Sequence, residues 1–153
     1  MRDIENLPIF KKAKEIYDII KDITDLIPEE DKNLQTVKMH ILEDAMILTV
    51  KISGAEAVKL YDIKMENATI IRKAARDLLV SYHSLKMFGF DEVHYYKIVR
   101  EKLEEFRVLF IDWVAGFNKK HFITDNWGLF NPPGIMPDYE QRSDELNFLD
   151  DEE

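Results

Sequence analysis

The chain of 153 residues contains no cysteine. Disulfides, thiolate-bound zinc and a thiol nucleophile are thereby excluded, and the composition fits a reducing compartment. Proline is scarce and marginal: Pro8, Pro28, Pro132, Pro133 and Pro137, with none between residues 29 and 131. An interior proline costs a helix about 3 kcal/mol, so this long window permits long helices. Gly54, Gly89, Gly116 and Gly128 are the glycines within it. Apolar runs such as Ala45–Val50 fall far short of the ~20 residues that span a bilayer. The opening Met1-Arg2-Asp3-Ile4-Glu5 lacks the apolar centre of a secretory signal, so a cytoplasmic protein without membrane contact is expected. Glycine-rich phosphate-binding patterns are absent as well, which argues against a nucleotide cradle.

Charge is present but unevenly placed. The formal net charge is −9. Residues 1–120 hold 21 acidic and 20 basic side chains, a net of −1, whereas residues 121–153 hold nine acidic side chains and only Arg142, a net of −8. An acidic isoelectric point normally speaks against nucleic acid as a partner. Here that argument applies to the tail and leaves the body neutral on the question.

Apolar spacing in the body is helical. Phe10, Ala13, Tyr17, Ile20, Ile23 and Ile27 step by three and four after Pro8, and Pro28 ends that segment. A second segment runs from about Asp31 to Ser53 on Val37, Ile41, Ala45, Leu48 and Ile52, with Gly54 as its expected stop. A third starts at about Ala57 or Asp62 and runs to Phe88. It carries Ile71, Ala74, Ala75, Leu78, Tyr82 and Leu85, and Gly89 ends it. A fourth starts near Asp91, read as its N-cap, on Val99, Leu103, Phe106, Phe110, Trp113 and Phe117. Short links make neighbours antiparallel, so the expectation is an all-α, up-down-up-down four-helix bundle over residues 1–120. Leu78, Phe106 and Phe110 are expected in its core. Tyr95, Tyr96, Leu109 and Phe122 lie off the core stripes and suit a subunit interface. Residues 121–153 have poor periodicity and high acidity, which predicts a largely irregular, disordered tail. Its aromatic island, Trp127-Gly128-Leu129-Phe130, is a candidate docking element.

Catalytic constellations are sparse. Di-iron bundles need two Glu-x-x-His pairs and two further carboxylates. This chain has Asp91-x-x-His94 once, and His40 followed by Glu43 in the reverse order. His40, His83, His94 and His121 are scattered, and Ser53, Ser81, Ser84 and Ser143 sit in no nucleophile elbow. Arg76 and His83, with six residues between them, resemble the active-site pattern of HEPN ribonucleases. There an arginine neutralises phosphate charge and a histidine moves protons. Basic side chains gather on the third segment, where Lys59, Lys64, Arg72, Lys73, Arg76 and Lys86 lie. Arg72 and Arg76 are four apart and share a face. Lys119-Lys120 closes the fourth segment. In a ring of copies these residues would repeat into a belt suited to phosphate.

The ordered landmarks resemble a known group. Leu7-Pro8-Ile9-Phe10-Lys11-Lys12-Ala13-Lys14-Glu15-Ile16, followed by Leu26-Ile27-Pro28, is similar to the first helix and turn of the bacterial 23S rRNA intervening-sequence family of four-helix-bundle proteins. Lys59-Leu60-Tyr61 before a long helix, and Trp113-Val114-Ala115 with Asn118-Lys119-Lys120, resemble its sister group, the accessory variability determinant (Avd) of diversity-generating retroelements. The likeness covers about residues 7–120. It implies an antiparallel bundle that assembles as a homopentamer. It also implies a non-enzymatic accessory role in binding a reverse transcriptase with its RNA and cDNA, with no cofactor, metal or small-molecule substrate. Lys59, Arg72, Lys73, Arg76, Lys119 and Lys120 would be the nucleic-acid contacts, although only Lys59 and Asn118-Lys119-Lys120 fall within matched motifs. The near-neutral body departs from the strongly basic Avd proteins, and the acidic tail has no counterpart there. Two other readings stand beside this one. The first is an intervening-sequence-type bundle that binds protein alone, and the second is a HEPN-like ribonuclease using Arg76 and His83. The tail could also act as a polyanion covering a basic belt in competition with RNA.

Overall fold

A computed structural model describes residues 3–150. Met1 and Arg2, and the Asp151-Glu152-Glu153 end of the acidic tail, lie outside the described residues. Among the described residues the chain is all-helical, with no strand. Four α-helices carry the body: α1 (Pro8–Thr24), α2 (Lys32–Glu56), α3 (Tyr61–Met87) and α4 (Tyr96–Ala115). Short 3-10 segments occupy Ile4–Asn6, Val93–Tyr95 and Ser143–Asp150.

Local chemistry sets the helix ends. Pro8 takes the first position of α1, where its missing N–H costs nothing. Asp31 caps α2 by accepting the Leu34 N–H at 3.1 Å. After α3 the chain turns through Gly89 at φ +80°. The Phe90 N–H bonds the Leu85 carbonyl at 3.0 Å and the Gly89 N–H bonds that of Lys86 at 3.1 Å. Phe90 and Leu85 are both buried. This is the glycine-terminated helix end with its apolar clasp.

Three expected boundaries move. α1 ends at Thr24, so the turn at residues 25–27 closes it before Pro28 is reached. Gly54 does not stop α2, which continues to Glu56. Ala55 beside it is fully buried, and a Cβ at Gly54 would stand 3.2 Å from Asn67 Oδ1 on α3. The glycine therefore serves close helix approach. Nor does Asp91 cap α4. Burial of Phe90 and Tyr96 holds the link in a 3-10 turn, and the α-helix begins at Tyr96.

The apolar stripes meet in one core. Ile16, Ile20, Ile41, Leu48, Ile52, Ile71, Leu78 and Val99 are fully buried. The most extensive helix contact is α2 on α3, and the least extensive of the four is α3 on α4; α1 packs on both α2 and α4. Leu78 and Phe106 are buried as expected. Phe110 is only partly buried, because it stands at the lip of the open α3–α4 seam. Two residues assigned to an outer surface belong inside. Phe122 is buried, and so is Tyr96, whose hydroxyl donates to the Leu78 carbonyl at 2.6 Å. Tyr95 is exposed and Leu109 partly buried. Charges stitch the outside of the α1–α4 seam, where Lys12 and Lys102 each bond both Glu15 and Glu105 at 2.7–3.3 Å.

Residues 121–150 are irregular apart from the last 3-10 segment, yet they are docked rather than disordered. Phe122 and Phe148 are buried, and His121 stacks on Phe148 with ring centroids 4.7 Å apart. The Tyr61 N–H bonds the His121 carbonyl at 2.8 Å. Periodicity misses such a segment because isolated aromatic anchors hold it.

Leu78→Ala is expected to destabilise the protein by about 2–5 kcal/mol in urea denaturation. A second test uses Tyr96, whose hydroxyl burial pushes well above the ordinary tyrosine value. An unfolded tyrosine ionises near pH 10, roughly, while Tyr96 stays neutral in the fold. Its contribution is therefore whole below that pH and falls as pH rises above it. Tyr96→Phe should cost about 0.5–1.5 kcal/mol at neutral pH and flatten the alkaline loss of stability.

Candidate nucleic-acid interface and the groove beside it

The six basic residues singled out in the sequence separate into two groups. Arg72, Lys73 and Arg76 lie on the exposed face of α3. Lys59, Lys119 and Lys120 lie around the links at one end of the helices. Arg72 stands eleven residues into α3 from Tyr61, roughly 16 Å along the axis at 1.5 Å per residue.

Within the first group, Lys73 bonds Asp77 at 2.7 Å. The Arg72 and Arg76 guanidinium groups have no hydrogen-bond or ion-pair partner among the described residues. They rim a groove of about 320 Å³ between α3 and α4. Ala75 and Leu79 line its α3 wall, and Leu103, Phe106, Phe110 and Ile111 line its α4 wall, with Arg107 alongside. Glu104 holds Arg107 by hydrogen bonds of 2.6–3.1 Å. The result is an apolar trough with a cationic edge. Sequence spacing placed Arg72 and Arg76 together but could not show the trough, since that depends on how far α4 stands from α3.

The second group lies beside the tail, with Lys119 and Lys120 exposed. Lys59 Nζ approaches the Phe148 carbonyl at 3.4 Å. Lys119 and Lys120 face a cleft of about 580 Å³ whose other wall holds Arg142, Asp144, Glu145 and Phe148. The end beneath it is tightly tied. Trp113 Nε1 donates to Glu56 at 2.7 Å, and Lys64 bonds the Ala55 carbonyl at 2.7 Å while lying over the Phe117 ring. The tail thus brings carboxylates to the Lys119-Lys120 patch.

Arg76 and His83 both sit on the exposed side of α3, seven residues and about 10 Å of helix rise apart. A different titratable pair lies nearby. Burial, and next the charge of Asp77, hold the Asp44 carboxyl above its usual range. Among the described residues no group of three or more histidine, aspartate or glutamate side chains could hold a metal. No described helix is long and apolar enough to cross a membrane.

The aromatic island forms a clamped loop. The Asp125 carboxylate accepts the N–H groups of Trp127, Leu129 and Phe130, each at 3.0 Å. These bonds, that of Phe130 first, hold its carboxyl below the usual range. Asn131 closes the loop by accepting the Asp125 N–H at 2.7 Å and donating to the Asp125 carbonyl at 2.9 Å. Gly128 has φ +72° with Pro137 against it; a Cβ there would come within 2.7 Å of the proline ring. Trp127 is 95% exposed at the tip, and Leu129 is 72% exposed. Comparison with known families, curated proteins and solved structures returns no match.

Asp125→Ala should release this loop alone. Hydrogen exchange at Trp127, Leu129 and Phe130 is expected to accelerate while α3 keeps its protection. Because the folded carboxyl titrates below an unfolded aspartate, its hold is whole above about pH 4. It is lost as pH falls through the folded value, so acid should loosen the wild-type loop in the same way.

Proposed function

We propose that this protein is a non-enzymatic accessory scaffold. In this reading it is an antiparallel four-helix bundle resembling the Avd and intervening-sequence group. It assembles into a closed oligomer, a pentamer by that resemblance, and holds a reverse transcriptase together with RNA or cDNA. The observation that carries the nucleic-acid part is the pair of guanidinium groups, Arg72 and Arg76, on the exposed face of α3, without a partner among the described residues. Guanidinium is the side-chain group best suited to phosphate oxygens. One copy offers a weak site, and several copies in a ring multiply it by avidity.

The tail modulates this binding. Its net charge of −8 and its position over Lys119 and Lys120 make it a local competitor of phosphate. The body's near-zero charge then matters less than which basic groups the tail leaves open.

Arg72→Glu with Arg76→Glu should weaken RNA binding at least tenfold in a filter or mobility assay, and should flatten its dependence on salt. Unchanged affinity would defeat the reading. Removing residues 143–153 should tighten RNA binding at low salt and have little effect at high salt, where the polyanion is screened.

A further inference from the structure

Two features of the chain are left open and complement each other. The first is the clamped loop, which presents an almost fully exposed indole from a backbone fixed by Asp125, Asn131 and the Gly128–Pro137 contact. A large aromatic carried on a fixed backbone has only its own side-chain torsions to order on docking, which suits an interface anchor. The second is the α3–α4 groove, walled by Leu79, Phe106, Phe110 and Ile111 and edged by Arg72 and Arg76.

Size and charge match. The groove, at about 320 Å³, lies at the small end of cavities that enclose ligands of roughly 300–1,000 Å³, which suits one bicyclic side chain and its neighbour. Guanidinium groups at its edge favour an indole face. Residues 125–140 carry Asp125, Asp138 and Glu140 and no basic side chain, so the loop brings negative charge to the arginines. Within one chain Trp127 remains exposed and the groove remains open, so the two do not meet in cis.

We infer that the Trp127 loop of one copy docks in the α3–α4 groove of a second copy. The contact is heterologous, loop to groove, so each protomer keeps one free loop and one free groove until a ring closes. This rests on the oligomeric scaffold proposed above and supplies its interface. The indole lies against the faces of Arg72 and Arg76, and their outer N–H groups stay available to phosphate.

The test is subunit complementation read by native mass spectrometry, with RNA absent. Trp127→Ala removes the anchor, and Ala75→Trp fills the groove. Ile111→Lys, at an exposed lip position, repeats the groove arm without entering the core. Each variant alone is expected to be monomeric with wild-type circular dichroism. Mixing Trp127→Ala with either groove variant should give dimers that stop at one to one, because a single intact loop then meets a single intact groove. A wild type that is monomeric throughout, an oligomer unchanged by Trp127→Ala, or a mixture that stays monomeric overturns the inference. RNA binding measured on monomeric Trp127→Ala separates the two proposals. A retained, salt-dependent but weaker affinity keeps the nucleic-acid reading whatever the masses show, and its absence defeats that reading alone.

Discussion

The close approach of α2 to α3 is the constraint from which the rest of the arrangement follows. Small residues make it possible: Ala45, Ala55, Ala68 and Ala74 are buried in the core, and Gly54 lets Asn67 come against the α2 backbone. Between them Leu48, Ile52, Ile71 and Leu78 exclude water completely. A seam of this kind draws most of its strength from buried apolar area and dense packing. It commits α3 to α2. The opposite flank of α3 faces Phe106 and Phe110, whose bulk holds α4 away, and a trough remains where a tighter seam would have closed. The groove is thus the geometric remainder of a strong contact on the other side of the same helix.

Polar groups then decide how that remainder is used. Several cations are held by a nearby carboxylate: Lys73 has Asp77, Arg107 has Glu104, and Lys12 and Lys102 share Glu15 and Glu105. Such exposed pairs contribute little to stability. At the groove edge, Arg72 and Arg76 are left without an internal partner among the described residues. At the far end of the helices the tail supplies its own acidic groups, so the basic residues there are already faced by carboxylates. One chain therefore carries a cationic edge without carboxylate partners and a second basic patch that shares a cleft with tail carboxylates.

Much of the fold was legible in the sequence because helical periodicity reports directly on burial. The stripes through Ile20, Ile41, Ile71, Leu78, Val99 and Phe106 point where expected. What failed was local. Gly54 has the composition of a helix stop but sits where two helices need room. Asp91 has the side chain of a cap, but with Phe90 and Tyr96 buried the cap falls four residues later, at Tyr95. Tyr96 and Phe122 fall off the stripes, and only tertiary packing reveals them as interior. Composition averages over the tail, while its docking depends on single anchors, Phe122 and Phe148, with His121 stacked on the latter. Of the candidate site, the sequence could place Arg72 and Arg76 on one face. It could not show that an apolar trough lies beside them, since that is a property of inter-helix distance.

The two tryptophans occupy opposite surroundings. Trp113 is buried, with its ring nitrogen bonded to Glu56 and its ring edge-on to Phe117, whereas Trp127 stands in solvent. Indole emission shifts to shorter wavelength as water is excluded, so the unmodified chain contains two intrinsic fluorophores of different colour. The blue component reports on the junction of α2, α3 and α4, and the red component reports on whatever reaches the loop tip.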